Sequence, residues 1–274
     1  MPDSWNTTPL ITESDVLQKL TDLRGRQWLC RGQSKCYDSL VPSIDRKPRQ
    51  QLSRVEKLTL EGRSIDLFRS TARFFADPGE QAALVNDIVA LMVLRHYGVP
   101  SRLLDWTSSP WVAAYFAVSN HDDKDGELWA FDLRTYEVRG HKQWQKWPET
   151  TINRDGEHFD ANLTAFTYEE PPDWFVCHFY REGFHRQRAQ QSAYSMTARF
   201  NRPHDAAIAD LLLNSSTYHR YVIAGKLKPR LRELLREHHG IWRGSLFPDS
   251  AGAAETARRM VFQNVAGDRL SGEG

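Results

Sequence analysis

Residues 80–96 place Ala82, Leu84, Val85, Ile88, Val89, Leu91, Met92 and Leu94 on nearly every face of a helix, so this segment has to be covered on most sides. Burying a helix that completely takes sheet or helices on several flanks. The 274 residues, 40% hydrophobic and 26% charged, supply the apolar surface for such a core. Uninterrupted apolar runs such as Ile88 to Leu94, seven residues, and Trp111 to Val118, eight, fall far short of the roughly 18 to 20 needed to cross a bilayer. The amino terminus has neither a basic n-region nor an apolar h-region, so a cytoplasmic protein that spans no membrane is expected. Three cysteines, Cys30, Cys36 and Cys177, make no disulfide framework and lack finger spacing, so a reducing compartment and no metal site are expected.

Helix and strand signals surround that buried segment. Thr12-x-x-Asp15 reads as a capping box, with Val16, Leu17, Leu20 and Leu23 following at helical spacing and Gly25 breaking the helix. Gln27 to Cys30, between glycines, suits a buried strand that delivers Arg31, Gly32 and Gln33 at its carboxyl end. Ser53-x-x-Glu56 opens a basic helix through about Phe75, with Gly62 a candidate break, and Asp77-Pro78-Gly79 makes a turn. The helix of 80–96 stops at Tyr97-Gly98-Val99-Pro100. Hydroxyls at Thr107, Ser108 and Ser109 with Pro110 at N1 start a helix to Ser119. Asp122 to Gly126 reads as a hairpin loop before the strand Glu127 to Asp132, and residues 134–172 are polar and aperiodic, expected to be a long variable loop. Strand candidates recur at Trp174 to Phe179, Arg188 to Met196 and His219 to Ile223. The last helix is Pro229 to His239, with Leu231, Leu234 and Leu235 inward and Gly240 as the stop. Strands and helices do not alternate regularly, which predicts an α+β fold with a mixed, mostly antiparallel sheet and flanking helices.

Net charge is +1, from 36 basic and 35 acidic residues, so there is no general electrostatic pull on nucleic acid. The charge is nonetheless blocked. Asp45 to Arg73 carries eight basic and four acidic residues, Glu149 to Asp173 seven acidic and one basic, and Lys226 to Arg243 six basic and two acidic. Such blocks are either solvated faces of one sign or a basic groove for a phosphate-bearing ligand.

The richest chemistry lies in Arg95 to Thr107, where Arg95, His96, Ser101, Arg102 and Asp105 are interleaved with Gly98, Pro100 and Trp106. Rigid turns beside a helix N-terminus hold small anions well, which makes the helix opening at Pro110 a candidate phosphate seat. The plainer reading pairs Arg102 with Asp105 as a buried strut, with His96 bonded to backbone. Arg31 is placed to reach a phosphate or ribose, or else to pair with an acid such as Asp105. Along a strand from 186 to 194, Arg186, Arg188, Gln190, Ser192 and Tyr194 would share one face, lining a polar cavity or facing solvent. G-x-S-x-G, P-loop, G-x-G-x-x-G and H-E-x-x-H motifs are all missing from the chain.

Cys30-Arg31-Gly32-Gln33, then His96 to Thr107 with Pro110, Ala113 and Tyr115-Phe116-Ala117, then Arg188-Ala189-Gln190-Gln191, then Gly240-Ile241 and Leu246 to Asp249 resemble, in order, the FRG domain family. The likeness runs from about residue 10 to 260, within one domain over 1–274 that carries a helical insertion at about 45–96 and the acidic loop at about 134–172. Cys30, Arg95, Ser101, Ser192 and Tyr194 depart from the usual Phe, Gln, Thr, Gly and Phe.

The family layout is similar to that of ADP-ribosyltransferases. The resemblance implies an ADP-ribosyltransferase-like core with NAD as substrate, in a bacterial or phage conflict system in which such a protein acts as a toxin or in phage defence. Arg31 with Gly32 and Gln33 would hold the adenosine side, phosphates or ribose. Arg102 would add a cation, Thr107 and Ser108 would support the ribose, and Tyr115 would follow on the same helix. Gln190 would form the catalytic end with Asp105 and His96. Breaking the nicotinamide bond passes through an oxocarbenium-like state that usually calls on a carboxylate. Since Gln190 is neutral, Asp105 or Glu127 is expected to serve, or Gln190 orients the 2′-hydroxyl. The alternative is a non-catalytic module that recognises a nucleotide, DNA or RNA. A third reading puts function in the 134–172 loop.

Overall fold

The computed structural model describes residues 5–24, 27–74, 78, 80–145, 171, 173–179, 183–248, 252–254 and 256–257. Gly25, Asp77, Gly79, Asp249 and the expected loop over 146–170 and 172 lie outside the described residues.

Among the described residues, seven strands, β1 (Asn6–Leu10), β2 (Trp28–Gln33), β3 (Leu104–Thr107), β4 (Gly126–Asp132), β5 (Phe175–His178), β6 (Ser192–Thr197) and β7 (Tyr218–Ile223), form one sheet. Their order is β1-β7-β4-β2-β3-β6-β5, and only the β1–β7 pairing is parallel. The helices among the described residues are α1 (Glu13–Arg24), α2 (Arg54–Ala72), α3 (Asp87–His96), α4 (Pro110–Val118), α5 (Leu133–Gln145), α6 (His185–Ala189), α7 (His204–Leu212), α8 (Lys228–His239) and α9 (Arg243–Leu246). The architecture is the expected α+β, with a mixed sheet flanked by helices.

The two-residue side-chain period of a strand sorts the cores. Cys30, Leu128, Ala130 and Ile223 pack on one face against α1, α4 and α8. Leu29, Leu104, Trp106 and Phe131 point the other way, into a core with Tyr136 of α5 and Ile208 and Leu212 of α7. A third cluster seats α3 against Tyr194 and Met196 of β6 and Val176 of β5. Every residue from Ile88 to Leu94 is buried there, which is what its all-round apolar surface requires.

Local signals explain most boundaries. Thr12 and Asp15 exchange backbone-to-side-chain bonds at the start of α1, 3.1 and 2.9 Å, and Ser53 and Glu56 do the same for α2. Pro110 sits in the first turn of α4, with Ser109 as its cap. Gly240 ends α8 at φ 63°.

Several expectations are corrected. Residues 80–96 are not one helix: a 3-10 turn, Gln81–Leu84, precedes α3, because the Asn86 side chain accepts from the Val89 N–H and caps a new start. Val85, at that break, is exposed. Helix α2 runs unbroken through Gly62. The Asp122 to Gly126 loop joins α4 to β4 rather than two strands. Residues 133–145, read as loop from 134 on, form α5. The segment from Arg188 is not strand throughout: α6 covers 185–189, Gln190 caps it, and β6 begins only at Ser192. Strand β1 and helix α7 are additional elements.

Candidate functional site

The sheet is weakest between β2 and β3. Six residue pairs join β2 to β4, whereas Cys30 and Thr107 are the only partners joining β2 to β3. Past that bridge Arg31 enters the gap, and its Nη1 donates to the Asp105 carbonyl at 2.6 Å. A cavity of about 270 Å³ opens here, walled by β2, β3, the end of α3, the α6–β6 turn, Phe116 of α4 and Phe247. That is close to the lower limit of small-ligand sites, roughly 300 Å³.

Asp105 is the cavity's only carboxylate among the described wall residues. Arg95, in the last turn of α3, grips its Oδ2 through Nε at 3.0 Å and Nη2 at 2.9 Å, and Arg31 Nη1 lies 3.7 Å from the same oxygen. Oδ1 has no protein partner among the described residues, and 35% of the side chain is exposed. Burial would raise the Asp105 pKa, but Arg95, Arg31 and His96 outweigh it and hold the carboxyl below its usual value. Burial, together with repulsion from Arg95 and Arg46, pushes the Arg31 guanidinium down to about 10 against the attraction of Asp105. The result is an ionised, oriented carboxylate with one open oxygen, set among guanidinium groups.

The opposite wall is aromatic and cationic. Phe247 meets Phe116 edge-on at 6.3 Å, and the Arg186 guanidinium lies 4.2 Å over the Phe247 ring. Arg186 also donates to the His96 carbonyl at 2.9 Å. The His96 ring itself packs edge-on against Phe184 at 4.8 Å.

Arg31, Gly32, His96, Asp105, Thr107 and Gln190 therefore share one cavity wall, together with Cys30, Trp106 and Ser192. Gly32 lies there because β2 runs against the α4 backbone, so that any Cβ would collide with the Ala113 carbonyl. Thr107 Oγ1 accepts from the Ser109 N–H at 3.0 Å. Gln190 lines the wall, but its Nε2 donates to the Leu246 carbonyl at 3.0 Å.

The other expected residues lie elsewhere. Arg102 does not pair with Asp105: its Nε donates to Glu61 Oε2 at 2.7 Å, its Nη2 reaches the same oxygen, and its own N–H donates to Glu61 Oε1 at 2.9 Å. Phe200 stacks on that guanidinium at 4.4 Å. This buried strut fixes α2 to the start of β3, outside the cavity wall. Ser108 is exposed, with its N–H on the Gln191 carbonyl. Tyr115 belongs to the α1–α4–α8 core, and Gln33 lies beyond the wall at the end of β2. Glu127 is likewise outside it: Arg220 and the Tyr37 N–H occupy its two oxygens, and burial raises its pKa. The helix opening at Pro110 is not an open anion seat either, since the Ser109 and Val112 amides are bonded to Thr107 and Ser109 hydroxyls.

Sequence reasoning gave Phe116 and Phe247 no place at a cavity and named Arg95 and Arg186 only within polar segments, whereas all four line this one. Arg95 was visible as the cation just before His96, but nothing in the chain ties it to a carboxylate ten positions later.

The sequence-family model described as the FRG domain matches residues 26–126, which include β2, α3, β3 and α4. No curated protein and no solved structure matches the chain.

Proposed function

The chain carries an FRG domain over residues 26–126, and on that premise we propose that the cavity at the β2–β3 break takes NAD as substrate in an ADP-ribosyltransferase-like reaction. The observation that carries this reading is Asp105, held by Arg95 and Arg31 through Oδ2 while Oδ1 stays open. The wall residues suit the substrate. Arg31, Arg95 and Arg186 offer cations to a pyrophosphate, Phe116 and Phe247 offer rings to a flat base, and the Asp105 carboxylate faces positive charge developing at C1′. The bond between C1′ and the nicotinamide nitrogen breaks with its electron pair leaving on nicotinamide. A nucleophile from the acceptor or water then attacks C1′ and gives up its proton to Asp105 Oδ1 or solvent. The two sheet halves meeting at one bridge, with the site between them, also support an ADP-ribosyltransferase-like core.

A second reading, nucleotide recognition without turnover, is favoured by the same clamp, because two guanidinium groups weaken the field of the one carboxylate. Nicotinamide release from NAD by purified protein, with and without added DNA, RNA or protein extract, separates the two. Release that is lost in folded Arg31→Ala and Asp105→Asn supports transfer. Saturable binding of NAD without release supports recognition, and neither binding nor release removes both.

A further inference from the structure

Helix α8 treats its cations in two ways. Toward its start Arg230 pairs with Glu233 at 2.8 Å and Arg232 with Asp122 at 2.6 Å. Toward its end, Arg236 has no carboxylate partner among the described residues and lies 5.7 Å over the Trp242 ring. Arg243, just beyond, likewise lacks a carboxylate partner there and lies 4.9 Å over Phe247, the ring that walls the cavity. Arg24 is exposed at the end of α1, and the His239 pKa is lowered first by burial and then by the charges of His238 and Arg24. The exposed His239 ring stacks on the half-buried Trp111 at 3.8 Å and 22°, leaving its outer face open.

Cations with no carboxylate paired to them, alternating with flat rings, suit a single-strand platform even with Glu237 exposed beside Arg236. Guanidinium groups follow the phosphates, and rings accept unstacked bases, which a duplex does not offer. From the Arg236–Trp242 contact the surface continues through Arg243 to Phe247 at the cavity. We infer that single-stranded nucleic acid binds along this surface, its charge complementing Arg24, Arg236 and Arg243 and its bases stacking at His239 and Trp242. As acceptor for the reaction in the cavity, the strand rests on the transferase reading; its binding does not.

The test is fluorescence anisotropy of a labelled oligothymidylate of about 16 nucleotides with the full chain and no NAD, across a salt series, beside a hairpin duplex of equal length. Single-strand binding is expected, with a salt slope that falls by about 0.7 for each cation removed in Arg24→Gln and Arg236→Gln. His239→Ala is expected to weaken it about tenfold, while Arg230→Gln, whose cation is already paired, leaves it unchanged. No binding at low salt, equal affinity for the duplex, or equal weakening by Arg230→Gln overturns the proposal. Binding by a protein that releases no nicotinamide counts against the transferase reading alone. Release without strand binding counts against this surface alone.

Discussion

The side-chain amide of Gln190 bonds the Leu246 carbonyl at 3.0 Å, so the residue at the end of α6 sets where Phe247 stands at the cavity. Gln190→Ala removes one hydrogen bond, a loss of about 1 kcal/mol, and frees that ring to shift. On the transferase reading, the expected outcome is a several-fold rise in KM for NAD with kcat nearly retained. Saturation kinetics of nicotinamide release check this, and a fall in kcat at constant KM would instead return Gln190 to the chemistry.

Asp105→Asn keeps the side-chain shape but removes the charge that Arg95 and Arg31 hold in place. If Oδ1 faces the developing charge at C1′, kcat falls by roughly 10²- to 10³-fold, while circular dichroism of the variant matches the parent. Retained turnover would remove Asp105 from the reaction.

Arg102 has the opposite profile. Removing it in Arg102→Ala leaves the Glu61 carboxylate buried, with side chains 5% and 4% exposed in the parent pair. The expected cost is about 3 to 5 kcal/mol in urea unfolding. Arg102→Lys does not restore it, because an ammonium lacks the planar fork. Ligand affinity of the folded fraction stays unchanged, as Arg102 is outside the cavity wall.

His204 reports on the opposite core. Its Nδ1 is 2.7 Å from Ser195 Oγ, which also accepts from Trp106 Nε1. Burial, aided by Arg31 and Arg202, pushes its pKa down to about 3 from an ordinary 6.5. Between those values the unfolded chain binds a proton that the folded one refuses, so stability is full above pH 6.5 and falls as pH drops toward 3. The slope is about 1.4 kcal/mol per pH unit. Urea titrations at several pH values check this, with a flatter profile expected for His204→Asn.

Local devices were legible in the chain. The capping boxes at Thr12 and Ser53, Pro110 in a first turn and Gly240 as a stop all act over three or four residues, within reach of a pattern. The fold class followed from the irregular order of strands and helices. Pairings across the fold were not legible. Arg102 and Asp105 look like partners three positions apart, yet Arg102 turns to Glu61, 41 residues away, while Asp105 takes Arg95. Gln190 read as strand because Arg188 to Met196 alternates convincingly, whereas the backbone keeps a helical turn through Ala189 and a positive φ of 48° at Gln191 before β6 starts. Helix α7 is missing from that reading although His204, Ala207, Ile208, Ala209 and Leu212 are all buried, because its nine residues span little more than two turns of the helical period.

At the lone Cys30–Thr107 pairing the sheet divides into two plates, fastened there by that backbone bridge and by the Arg31 side chain on the Asp105 carbonyl. Local opening follows the least-bonded boundary, so hydrogen exchange at the amides around Arg31 and Trp106 is expected to outpace that in the β2–β4 ladder. A molecule seated in the cavity against Arg31 and the open Asp105 oxygen would then act as a further stitch across the seam, slowing that exchange and raising the melting temperature with its concentration.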